Sequence, residues 1–354
     1  PDIALWELAQ TVQGWGRVQV VERLAETENE EVKHWLLREG FKNTIMYQYV
    51  ACTCAVTGGL LQELDCESPD DELLDAACEL LAALAAGGPA DDMDDYKDGP
   101  EATDKLLHHL TSRASKLEHF CAVAQLRLFL QADEKTKPRP DEELGWSPEL
   151  CRSLESRCDE ILYRSWWPEQ VRAALEISAN VDELDEVQEQ QFLLAARAAK
   201  VLRLPTFRHH WRRLRKKPMV GTRWYLAIDN MGPNDVDKMV SFAERRLALD
   251  KIATGPAEVL GLGQQYRDHT YLDLILQKLI DYPGKGWELV VTALRSPVVR
   301  NRVQAVRVLN QWHREKKCWR DYVRQAVTIA AKGEPDKELR KKMEDLLQEP
   351  AASL

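Results

Sequence analysis

The chain has 354 residues, 44% hydrophobic and 30% charged, with 17 Gly and 16 Pro, which excludes a collagenous or wholly disordered polymer. With 48 Lys/Arg against 58 Asp/Glu the net charge is −10, so the whole molecule is no general binder of polyanions. The charge is unevenly placed: −15 over residues 1–100, −6 over 101–200 and +11 over 201–354. Only the C-terminal part suits an anionic partner, or a head-to-tail contact with the acidic part of a second copy.

The first elements already set the period. Val18, Val21, Leu24 and Ala25 form one apolar stripe at helical spacing, and Val32, Trp35 and Leu36 form the next. Between them Thr27-Glu28-Asn29-Glu30 offers an N-cap and acidic residues where a helix N-terminus favours them, so two antiparallel helices are expected. Residues 45–61 form the longest apolar stretch. Interrupted by Gln48, Thr53, Thr57 and Gly58-Gly59, it is expected to be a buried central helix and not a membrane span. No basic-then-apolar leader opens the sequence, and the eight cysteines lie scattered through helical patterns. A reduced, cytoplasmic setting is expected, with no membrane partner.

Further along, Gly87–Thr103 holds Gly-Gly-Pro and five aspartates, and reads as an exposed acidic loop. Residues 132–148 combine Lys137-Pro138-Arg139-Pro140 with Asp141-Glu142-Glu143 and read as a linker or insertion. They would separate an N-terminal helical block, 1–131, from a C-terminal one, 149–354. Strand signals are scarce, and about eighteen helical segments joined by short connections are expected.

One internal match stands out. Gly16-Arg17-Val18-Gln19-Val20-Val21-Glu22-Arg23-Leu24 aligns with Asn301-Arg302-Val303-Gln304-Ala305-Val306-Arg307-Val308-Leu309, with five of nine positions identical. The later copy is preceded by Ser296-Pro297-Val298-Val299-Arg300, a Pro-started helix with Arg, Ala and Leu at regular intervals. Here the sequence resembles HEAT-like repeats, most clearly at 296–330 and 14–40. That resemblance implies an all-α, α-α superhelix of stacked antiparallel helix pairs, either as two blocks or as one continuous solenoid, with a protein-binding surface along it.

Chemistry-bearing motifs are few. Glu31-Val32-Lys33-His34 puts a carboxylate and an imidazole on one helix face, as half of a di-iron site would. None of the other seven His has a Glu three residues earlier, and the His-Glu steps of HEAT-like hydroxylases are absent. No metal, no cofactor and, in the favoured reading, no catalysis are expected. His108-His109 and His209-His210 sit beside no nucleophile that the sequence couples to them. Gly255-Pro256 and Gly261-Leu262-Gly263 lack a phosphate-binding loop's Lys-Ser/Thr, and read as a helix–helix turn.

The strongest local anomaly is 203–223, which contains no acidic residue. Arg208, Arg212, Arg215, Lys216, Lys217 and Arg223, with Trp211 among them, are the candidate contacts to phosphates or a partner, joined by Arg300 and Arg302 from the basic region 295–324. Eleven Trp are expected in the core except Trp167 and Trp211, which suit an interface. The expected function is a non-catalytic protein-interaction scaffold. The alternative is nucleic-acid binding through the basic C-terminal half, in the manner of DNA alkylation repeat proteins; a small-molecule enzyme in the helical groove comes third.

Overall fold

The computed structural model describes residues 2–131, 142–180, 185–315 and 319–348. Among them the chain is all-α: twenty α-helices and no strand, with one isolated parallel bridge between Val259 and Val298. The helices fall into two compact units, residues 1–177 with 183–204, and 178–182 with 205–354.

Unit 1 contains α1 (Asp2–Thr11), α2 (Trp15–Arg23), α3 (Glu30–Trp35), α4 (Ala51–Thr57), α5 (Leu60–Leu64), α6 (Asp71–Ala86), α7 (Gly99–Arg113), α8 (Leu117–Leu130), α9 (Pro148–Leu162), α10 (Trp167–Asn180) and α11 (Glu186–Val201). Capping explains several starts. Asn29 accepts from the amides of Glu31 (2.9 Å) and Val32 (3.2 Å), as its place in the turn predicts. Asp70 takes the Leu73 amide at 2.6 Å, and Asp185 with Gln188 closes a reciprocal capping box. Beyond α3 the helix continues as a π-helical turn, Leu36–Gly40.

Two expectations about the path of the chain are corrected in this unit. Residues 45–61 do not make one helix. The chain breaks at Gly58-Gly59, where Gly59 turns left-handed at φ 67° and a Cβ on Gly58 would lie 2.7 Å from the Cys54 carbonyl oxygen. The acidic segment 87–103 is loop only to Asp98, and Met93 and Tyr96 pin it to the core at 0% and 1% exposure. Helices α8 and α9, on either side of 132–147, pack against each other inside unit 1, and the chain passes to unit 2 at Leu204–Pro205. Residues 132–141 themselves lie outside the described residues.

Unit 2 contains α12 (Phe207–Lys216), α13 (Gly221–Asp229), α14 (Val236–Arg246), α15 (Leu249–Ile252), α16 (Arg267–Leu279), α17 (Trp287–Leu294), α18 (Val299–Arg314), α19 (Asp321–Gly333) and α20 (Lys337–Gln348). The matched stripes are core in both units: Val18, Val21 and Leu24 in one, Val306 and Leu309 in the other, with Val303 partly buried beside them. Trp167 is wholly buried and its indole donates to the Ile161 carbonyl at 2.7 Å, so it anchors the core and no interface. The exposed tryptophans are Trp15 and Trp166 instead.

Candidate functional site

Helix α12 divides its residues cleanly. Phe207, Trp211 and Leu214, spaced i, i+4, i+7, turn into the core with His209, His210 and Arg213. Arg208, Arg212, Arg215 and Lys216 are exposed on the other side, while Lys217 and Arg223 are half-buried. Arg223 donates to the Arg213 carbonyl at 3.0 Å, tying α13 to α12. Trp211 is 6% exposed, stacked near Phe207 and set edge-on to Phe242, so its face is not offered to an unstacked base. The Lys238 ammonium sits 5.0 Å from the same ring. Burial, with Arg213 and His209 nearby, pushes His210 down to about 4, so it is neutral at pH 7.

Just past the basic face the surface turns apolar. Met219, Val220 and Tyr225 are exposed at 57%, 38% and 54% on the turn into α13 and on α13 itself. That turn is fixed from behind: the Trp224 indole donates to the Pro218 carbonyl and the Tyr271 hydroxyl to the Met219 carbonyl, both at 2.8 Å.

The two arginines expected from α18 are committed elsewhere. Arg302 is 0% exposed and forms a two-pronged ion pair with the equally buried Glu334, at 2.7 and 2.8 Å. Its remaining nitrogen donates to the carbonyls of Ala257, Ser296 and Pro297. It is a structural latch between α18, the end of α19 and the loop before α16. Arg300 donates to Thr270 Oγ1 at 2.6 Å and lies 3.9 Å from Asp273. Neither belongs to the α12 face. Arg17, the residue matched to Arg302, is also buried, and it donates to the Glu39 carbonyl at 2.6 Å.

Arg302 sits beside a buried polar cluster that the sequence did not reveal. His269 Nδ1 lies 3.1 Å from Ser296 Oγ and 2.9 Å from Asn301 Oδ1, and Asn301 donates to the His269 carbonyl. Ser296 Oγ also accepts the Val298 amide and is wholly buried, which makes it a strut for the loop and no nucleophile.

Two concavities lie among the described residues of unit 1. A cleft of about 570 Å³ lies among α6, α8 and α11, walled by six alanines together with polar side chains such as Glu79, Glu118 and Arg197. A groove of about 630 Å³ is lined by Trp6, Trp35 and Arg38, with Glu31 and His34 at its edge. The Glu-x-x-His pair therefore does reach a cavity, but among the described residues no group of three or more His, Cys, Asp or Glu is placed to hold a metal ion. Seven described cysteines are free thiols. Burial raises Cys52 to about 11 and Cys121 and Cys158 to about 12, and Cys54 and Cys78 further still, which leaves these thiols poor nucleophiles. Among the described residues no helix is long and apolar enough to cross a membrane. No protein-family model matches this chain, and no curated protein matches it.

Proposed function

We propose that this chain is a non-catalytic protein-interaction module built from HEAT-like helix pairs, and that it holds an acidic protein surface against α12 and the α12–α13 turn. One observation carries the reading. The exposed cations Arg208, Arg212, Arg215 and Lys216 run directly into exposed Met219, Val220 and Tyr225. Arginine beside Met and Tyr is the composition of protein interfaces, where apolar anchors supply affinity and charge supplies orientation. A phosphate backbone has no use for the apolar half, and burial of Trp211 removes the stacking platform a single strand needs.

The test uses fluorescence anisotropy of the full chain with labelled poly-L-glutamate and with a labelled DNA duplex, at low and physiological salt. The expected result is binding of the polyglutamate that weakens with salt and is lost in Arg212→Glu/Arg215→Glu. Tyr225→Ala leaves polyglutamate binding intact, because that probe has no apolar side chains to meet it. Duplex binding whose log–log salt slope steepens by about −0.9 per phosphate contact would replace this reading with nucleic-acid recognition. Binding of neither probe would refute both.

A further inference from the structure

The 630 Å³ groove of unit 1 couples apolar walls to an acidic rim. Its walls include the half-buried rings of Trp6, on α1, and Trp35, at the end of α3, and the surface it exposes is mostly apolar. Around that surface stand Glu30, Glu31, Glu39 and Glu72, all exposed. Lys33 meets Glu30 at 3.2 Å and Lys42 meets Glu39 at 2.8 Å, whereas Glu31 and Glu72 have no ion-pair partner among the described residues. Arg38, which also lines the groove, is buried and paired with Asp70 at 3.1 Å. The chemistry that covers such a surface is an apolar side chain flanked by cations. Burial of the apolar tip supplies affinity, and the carboxylates select the charge beside it.

This chain carries that combination on its other unit. Met219 and Val220 stand exposed in the α12–α13 turn, directly after the exposed cations Arg212, Arg215 and Lys216, and no acidic residue occurs from 203 to 223. The turn is held by the bonds from Trp224 to the Pro218 carbonyl and from Tyr271 to the Met219 carbonyl, so docking it orders little that is not already ordered. The two parts of the chain are opposite in charge, −15 over residues 1–100 and +11 over 201–354. A symmetric contact would set one α12 face against another, cation on cation, or one groove against another, carboxylate on carboxylate. A contact between unlike faces matches charge and apolar surface together.

We infer that the groove between α1, α3 and α6 seats the α12–α13 turn of a second copy of this chain, with Met219 against the Trp6 and Trp35 rings and the α12 arginines over Glu31 and Glu72. Methionine suits the place, since its sulfur makes favourable contacts with aromatic rings. The inference rests on the reading of α12 as a surface that holds acidic protein, and it names that protein. The contact runs head to tail, each copy giving a turn and offering a groove, so it builds open chains or closed rings and does not stop at a symmetric dimer.

Sedimentation velocity of the full chain tests this at about 5–200 μM protein, in about 50 mM and about 500 mM NaCl. The wild type is expected to self-associate with rising concentration at low salt and to dissociate at high salt. Glu31→Lys/Glu72→Lys in the groove and Met219→Asp in the turn, all exposed positions, should keep the wild-type melting temperature and each weaken association about tenfold or more. Mixing the two variants in equal amounts decides the orientation. The intact turn of the first meets the intact groove of the second, so the mixture should form a dimer that neither variant forms alone. A wild type that stays monomeric throughout would overturn the inference, as would association that survives Glu31→Lys/Glu72→Lys, or a mixture that stays monomeric. Polyglutamate separates this failure from that of the α12 reading, because Glu31→Lys/Glu72→Lys leaves α12 intact and should still bind it. Polyglutamate binding without self-association would overturn the second copy alone, and loss of both would overturn both.

Discussion

Removing one partner of the Arg302–Glu334 pair should damage unit 2 more than any surface change. Both side chains are 0% exposed. Glu334→Gln keeps the shape but leaves a buried guanidinium facing three carbonyls and no countercharge. Arg302→Met leaves the carboxylate with only the Asp336 amide, at 3.1 Å, and strips the donor from the Ala257, Ser296 and Pro297 carbonyls. Breaking a buried pair from one side costs about 3–5 kcal/mol, so each single variant should lose roughly that. In a unit of this size it corresponds to a fall of about 6–20 °C in melting temperature.

The double variant Arg302→Met/Glu334→Leu separates the charge effect from mere loss of packing. If desolvated charge dominates, the double should cost clearly less than the two singles combined, with a coupling of about 1–3 kcal/mol. Because the chain has two units, calorimetry should be paired with hydrogen exchange over residues 254–263, the loop whose Ala257 carbonyl Arg302 holds. Faster exchange there in both singles is expected. Singles below about 1 kcal/mol, or strictly additive costs, would refute the latch.

Three further outcomes follow from the geometry. Gly261→Ala places a Cβ 2.6 Å from Val298 Cγ1 at φ 72°, and should cost about 1–3 kcal/mol by thermal unfolding, only partly rescued by Val298→Ala. His210 stays neutral in the fold down to about 4, whereas the unfolded chain takes up a proton near pH 6.5. The unfolded state thus binds more protons between those values, and unit 2 should lose up to about 3 kcal/mol as pH falls from 7 to 4; urea midpoints of His210→Gln should flatten that slope. Leu309→Ala, wholly buried on α18, should lose roughly 2–5 kcal/mol in chemical denaturation.

Much of the fold was readable because its causes are local. The 3.6 period of Val18, Val21 and Leu24 and the Asn29 cap act within a few residues, and both appear as read. What was not readable depends on distant packing. Pro- and charge-rich residues look like a linker, yet the helices flanking 132–148 pack together, which no local signal reports. Trp211 shares a buried stripe with Phe207 and Leu214, a core signal that the flanking cations mask in the sequence. Arg302 reads as a phosphate or partner contact until Glu334, 32 residues away, is folded against it. The groove of unit 1 is lined by Trp6, Arg38 and Glu72 from three separate elements, a juxtaposition with no local signature.

The nine-residue match connects these cases. Its arginine is buried in both segments, so each carries a demand for acceptors as well as an apolar stripe. In unit 2 the demand is met in full: one carboxylate and three carbonyls surround Arg302. In unit 1 it is not. Arg17 has one carbonyl, its Nε has no partner among the described residues, and it rests 5.2 Å from the Trp35 ring. The nearest carboxylate in sequence to that carbonyl, Glu39, turns instead to Lys42. Desolvation accordingly pulls Arg17 below its usual range despite Glu39 nearby. Arg38 Nε and Nη1 and Trp6 Nε1 are likewise without a hydrogen-bond partner among the described residues of unit 1. The matched segment is thus satisfied in full in unit 2 and only in part in unit 1, although the apolar stripe is buried in both.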